Sequence, residues 1–119
     1  VGHFEPDDAA ESLLLARIVA ATSHATGDDF LGVQTYSRMR IGPDGTLGPE
    51  SGMRTTLMGY EFYPESLEET LRRAWAMTDQ TPLLVTENGI GTDKDEERIE
   101  YVERALQGVL RAIDDGIEV

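Results

Sequence analysis

Leu83-Leu84-Val85-Thr86-Glu87-Asn88-Gly89 sets one carboxylate at the end of an apolar, β-branched run, immediately before a glycine. A short apolar run bounded by Pro82 and Gly89 predicts a buried strand. A carboxylate that closes such a strand is either paired or part of a site, because an unpaired charge is costly to bury. Glu87 is therefore the residue to explain, and pattern alone leaves two readings open: an ion-pair or helix-dipole partner, and a site residue.

Upstream, Asp28-Asp29 introduce Phe30-Leu31-Gly32-Val33-Gln34-Thr35-Tyr36, a second β-rich run whose apolar part precedes a polar end. Between the two runs, Pro64 stands at the first turn of an expected helix. Its Leu67, Leu71, Ala74, Trp75 and Thr78 fall at i, i+4, i+7, i+8 and i+11, so one stripe faces a core. Past Glu87, Thr92 with Asp95 makes a capping-box-like start for a further helix. There Ile99, Val102, Leu106, Val109, Leu110 and Ile113 trace a 3.6-residue stripe, and Gly116 closes it. Ile117-Glu118-Val119 then begin another strand. Asp7 to about Thr26 also predicts a helix, with Leu13, Leu14, Leu15, Ile18 and Val19 on a broad apolar face and Gly27 as its C′ glycine. The expected division is an N-terminal helical segment over 1–27 and a β/α unit over 28–119.

Arg38 to Tyr63 is irregular, with Gly42-Pro43-Asp44-Gly45 and Gly48-Pro49 as turn chemistry and Met53 to Met58 as a short extended piece. A connection of this length in a compact domain is usually functional or a lid. The alternation of helices and strands belongs to the α/β class with a parallel sheet and right-handed crossovers. At 119 residues the chain is well short of the ~250 of a closed (β/α)8 barrel. Two or three parallel strands leave unpaired edges, which natural folds cover by adding strands or closing a barrel. The expectation is a portion of a larger α/β fold, whose alternative is a non-catalytic module that buries its edges against copies of itself.

Composition narrows the partners. Asp and Glu number 23 against 10 Lys and Arg, a formal charge of −13, and no basic stretch tracks a phosphate backbone. Nucleic acid and anionic membrane are excluded on that ground, and the acidity reads as solvated helix faces. There is no cysteine, hence no disulfide or thiolate chemistry. Only His3 and His24 could offer imidazole, neither with a partner at metal-ligand spacing, so no metal or cofactor is expected. His24, near a helix end, is expected to be a favourable surface charge when protonated. Val1-Gly2-His3-Phe4-Glu5-Pro6 has no signal-peptide pattern, and no apolar stretch nears the ~20 residues that span a bilayer, so a soluble, cytoplasmic protein is expected.

In α/β sheets and barrels, ligands sit at the carboxyl ends of the strands. That rule gathers Gln34 and Tyr36 with Thr86, Glu87 and Asn88 on one rim. Tyr36 as a strand-end aromatic with its hydroxyl in solvent, and Gln34 as a surface amide, remain open beside that reading. Gly89-Ile90-Gly91 hints at a dinucleotide loop but has Lys94 where the third glycine belongs. Asp93 to Glu97 imitates a calcium loop but has Arg98 at the sixth position, where glycine is needed, and reads as a helix start favoured by the dipole. Trp75, on its helix stripe, reads as core or interface.

Thr86-Glu87-Asn88-Gly89 resembles the nucleophile motif of the family 1 glycoside hydrolases, the β-glucosidase and β-galactosidase clan. Asp29 to Ser37 resembles that family's sixth barrel strand, and Gly59-Tyr60-Glu61-Phe62-Tyr63-Pro64-Glu65-Ser66-Leu67 its approach to the next helix. Asp95 to Gly116, with Arg98-Ile99-Glu100-Tyr101 and Ala112-Ile113-Asp114-Asp115-Gly116, resembles the helix after the seventh strand. The resemblance runs from about Asp28 to Val119 and implies a partial (β/α)8 barrel, about strands six to eight with their helices. It further implies that Glu87 is the nucleophile of a retaining mechanism, in which two carboxyls about 5 to 5.5 Å apart act as nucleophile and acid/base. Tyr36 is implied to donate its hydroxyl to Glu87 and hold it in line. Gln34 and Asn88 are implied to bind the sugar of a β-glucoside or related substrate. The family usually has Asn-Tyr where this chain has Gln34-Thr35, and glycine where it has Ser66. No Asn-Glu-Pro acid/base segment is present, so the chain alone is expected to be inactive until the missing part of the barrel is supplied.

Overall fold

The computed structural model describes residues 27–119; the helix expected over Asp7 to Thr26, with His3 and His24, lies outside them. In chain order the elements are β1 (Leu31–Thr35), β2 (Arg40–Gly42), β3 (Gly45–Leu47), α1 (Ser66–Met77), β4 (Leu83–Asn88) and α2 (Asp95–Asp114). β1 and β4 pair in parallel as a two-stranded sheet, and β2 and β3 form a separate antiparallel hairpin. The hairpin lies inside the stretch expected to be irregular, with Gly42 and Gly45 as its closing pair. The turn chemistry of Pro43-Asp44 was thus a hairpin signal.

One face of the β1/β4 sheet carries the core. Val33 and Leu83 pack with Leu67 and Leu71 of α1, with Tyr101, Ala105 and Ala112 of α2, and with Phe62 and Ile117. Leu71 has no exposed surface, so trimming it to Ala is expected to cost about 2–5 kcal/mol. α1 starts at Ser66 rather than at Pro64, with Glu68 and Glu69 in its first turn, where the dipole favours acids. It stops at Thr78, and Asp79 and Gln80 then take left-handed backbone angles that reverse the chain into β4. Gln80 N–H bonds the Trp75 carbonyl at 3.3 Å, and the Thr81 hydroxyl bonds the Thr78 carbonyl at 2.8 Å, holding that unusual turn.

α2 departs from the sequence reading in which side it buries. Tyr101, Ala105, Gly108 and Ala112 are buried, while Ile99, Val102, Leu106, Leu110 and Ile113 of the apolar stripe are exposed. The small residues let α1 come close: a Cβ on Gly108 would lie 2.9 Å from the Glu68 Cβ. Thr92 does not form the expected box. Its hydroxyl accepts from Lys94 N–H at 3.1 Å and donates to the Glu97 carboxylate at 2.7 Å. Residues 117–119 form no strand, although Leu83 N–H already bonds the Glu118 carbonyl at 2.8 Å, on the edge of β4 away from β1.

Candidate active site

β1 alternates regularly. Val33 and Thr35 point into the helix-packed core, so Gln34 and Tyr36 share the opposite, open face. β4 starts in step with it: Leu31 faces Leu83, Gly32 faces Leu84, and Val33 faces Val85. The next pair, however, is Gln34 with Glu87, followed by Thr35 with Asn88. Thr86 is an extra residue with no partner in β1, a β-bulge. Were Thr86 instead paired in regular alternation, Glu87 would point inward behind Val85. With the bulge, Thr86 and Glu87 are consecutive exposed residues, and Glu87 comes to the face of Gln34 and Tyr36.

There the Tyr36 hydroxyl donates to the Glu87 carboxylate. The phenol and the carboxylate singled out in the sequence are therefore in contact, 51 residues apart in the chain. Gln34 is exposed beside them on the same face. Asn88 is turned the other way. Its amide donates to the Thr35 carbonyl at 2.7 Å and points toward the Tyr101 hydroxyl at 3.4 Å, on the helix side of the sheet. The bulge itself is braced by the Thr86 hydroxyl, 3.3 Å from the Val33 carbonyl. Gly89, at φ +147°, ends the strand in backbone angles that favour glycine.

A cavity of about 130 Å³ adjoins this rim, lined by Tyr36, Thr56, Met58, Tyr60, Gly89, Ile90 and Gly91. Its outer wall is the loop before α1, and that loop is anchored by charge. Glu61 is buried, 3 % exposed, and accepts from Arg38 at 2.5 Å and from Glu50 N–H at 2.7 Å. Those bonds, the Arg38 guanidinium first, hold its carboxyl below the usual range. Arg54 stacks over the Phe62 ring at 3.9 Å and reaches Glu97 and Glu100 of α2 at 2.9 and 2.7 Å. Tyr63 donates to Glu69 at 2.6 Å, and the neighbouring carboxylate pushes its phenol up to about 12.

Among the described residues no group of three or more His, Asp or Glu is arranged to hold a metal ion, and no helix is long and apolar enough to cross a membrane. What the rim offers is one exposed carboxylate, oriented by a neutral donor, at the carboxyl ends of two parallel strands. A sequence profile described as Glycosyl hydrolase family 1 matches residues 21–119. The chain belongs to glycosyl hydrolase family 1.

Among curated relatives, the bifunctional β-D-glucosidase/β-D-fucosidase of Bifidobacterium breve is 39% identical over 84 residues, 60% of this chain and 18% of the relative. A β-galactosidase of Sulfolobus acidocaldarius is 36% identical over 69 residues, 58% of this chain and 14% of that protein. The chain thus spans less than a fifth of the length of these relatives. The crystal structure of β-glycosidase BGL167 superposes with a TM-score of 0.84 at 38% identity, covering 93% of this chain and 27% of that one. The architecture is accordingly part of an α/β barrel. In that setting the open face of β1 and β4 is the face that carries Gln34, Tyr36 and Glu87.

The sequence reading missed two features. The bulge at Thr86 has no composition signal, since Thr suits a regular strand equally well. Tyr101 did leave a trace: with Ala105, Gly108 and Ala112 it stands at i, i+4, i+7 and i+11, a stripe of small residues headed by one large one.

Proposed function

We propose that this chain is the part of a retaining β-glycosidase that carries the nucleophile, acting on terminal β-linked glucosides or galactosides. The observation that carries the reading is the Tyr36 hydroxyl bonded to Glu87 on the open face of the strand ends, in a member of this family. In the first step a Glu87 oxygen bonds to the anomeric carbon as the bond to the leaving oxygen breaks, and that oxygen takes a proton from an acid. In the second step water, deprotonated by the same acid/base, displaces Glu87 and the configuration is retained. Tyr36 keeps the carboxylate in line for attack, and Gln34 offers an amide to the sugar from the same face. Asn88 faces the helices, and its contribution goes through the strand end it ties down.

A second carboxyl of suitable role is absent from the sequence motifs, so the 119-residue chain alone does not turn over. The test is a chimera in which residues 28–119 replace the matching segment of the Bifidobacterium breve enzyme. The chimera should release nitrophenol from a nitrophenyl β-glucoside, and Glu87→Gln should reduce the rate by roughly a thousandfold or more. Mass spectrometry of a trapped intermediate should find the sugar on the peptide containing position 87. Turnover that survives Glu87→Gln would refute the assignment.

The open edges and the exposed apolar stripe of α2 favour a second reading in which the isolated chain pairs with copies of itself. It is compatible with the first, because both rest on the same two-stranded sheet of the described residues.

A further inference from the structure

The carbonyls of Thr35, which ends β1, and of Tyr36 just past it accept from side chains. Asn88 donates to Thr35 O at 2.7 Å, and the Tyr101 hydroxyl donates to Tyr36 O at 2.7 Å. Asn88 also reaches the Tyr101 oxygen at 3.4 Å, closing the set. Tyr101 is fully buried on α2, its ring edge-on to Phe62 at 5.6 Å and 88°. Burial raises the phenol above its ordinary range, so it stays a donor at any working pH. Tyr36, by contrast, is 45 % exposed, and its side chain is fixed by its bond to Glu87. With so little packing around the ring, its aim depends on where its backbone is held.

We propose that Tyr101 is a positioning residue for the candidate active site: by gripping the Tyr36 carbonyl from the helix layer, it sets the Tyr36 hydroxyl against Glu87. Its significance for catalysis rests on the nucleophile reading above, whereas the geometry can be tested without it. Removing the Tyr101 hydroxyl leaves the Tyr36 carbonyl without its donor at the edge of the core, and the strand end must shift to find water.

Ring-carbon labelling of tyrosine in the 119-residue chain reads the effect, with the Tyr36 Cζ signal assigned by Tyr36→Phe. That signal should differ between the unsubstituted chain and Glu87→Gln, which exchanges the carboxylate acceptor for an amide. In the Tyr101→Phe background this difference should fall roughly threefold or more, since a small misplacement suffices to part donor and acceptor. Tyr63→Phe, which removes a hydroxyl away from the rim, should leave it unchanged. An unchanged difference in folded Tyr101→Phe overturns the proposal. Should that variant lose its native circular dichroism, the unsubstituted chain decides. A slowly exchanging Tyr101 hydroxyl proton in contact with the Asn88 amide supports the grip, and free exchange with water overturns it. If instead the nucleophile reading fails, the chimera keeps its rate in Glu87→Gln while these signals stand.

Discussion

Glu61 and Glu87 are carboxylates with opposite surroundings. Glu61 is buried in the loop before α1 and is saturated by a guanidinium and a backbone N–H. Glu87 stands exposed at the end of β4 with a neutral phenol as its donor. A charge committed to holding a fold is surrounded by donors and a counter-ion, because burial would otherwise be prohibitive. A carboxylate left reachable, and oriented by one uncharged group, remains available to a ligand. The bulge at Thr86 is what keeps the second kind from becoming a poor version of the first.

Placing a carboxylate on the core side of the same strand is the strongest way to break the contrast. Leu83→Glu sets a charge at a buried position of β4 with no Arg38 beside it, and the urea midpoint should fall by the equivalent of about 3 kcal/mol or more. Glu87→Leu, on the open face, should leave the midpoint within about 1 kcal/mol and abolish the rate of the active chimera.

Acid sharpens the comparison from the other side. The Glu61 carboxyl is held below its ordinary 4.5 in the folded chain, so its bonds contribute stability above that pH and lose it as pH falls through the folded-state value. Amide exchange should therefore show residues 38–61 losing protection before β1 and β4 as the pH drops below 4.5. Glu61→Gln should flatten that pH dependence while lowering protection of the loop at neutral pH.

The smallest effect is expected from carboxylates with neither burial nor partners. Leu106→Glu with Leu110→Glu, on the exposed stripe of α2, should leave the unfolding midpoint within about 0.5 kcal/mol. Light scattering should then show fewer self-associated chains. An unchanged mass distribution would remove the stripe as a contact surface.

Sequence alone carried the parallel strands, the two described helices and the placing of Gln34, Tyr36 and Glu87 at strand ends, because each rests on local signals: Pro82 and Gly89 around a β-branched run, and apolar spacing in α1. It did not carry which side of α2 is buried. Periodicity reports that Ile99, Val102 and Leu106 share a side, but not what stands against it, and here α1 takes the small residues instead. Nor did it carry the inward turn of Asn88, since that depends on one unpaired residue in β4. A one-residue shift that exchanges faces has no marker in residue type, only in register.

Gly108 gives this architecture a measuring function. It stands two turns along α2 from Tyr101 on the same side, about 10 Å away, with no room for a methyl group before Glu68. The width of a single hydrogen there fixes how closely two helices lie, and with it the height at which a hydroxyl meets a strand end. Drift at that distant seam would tilt the whole rod, so the tolerance of the chemistry is gauged by an atom that is missing.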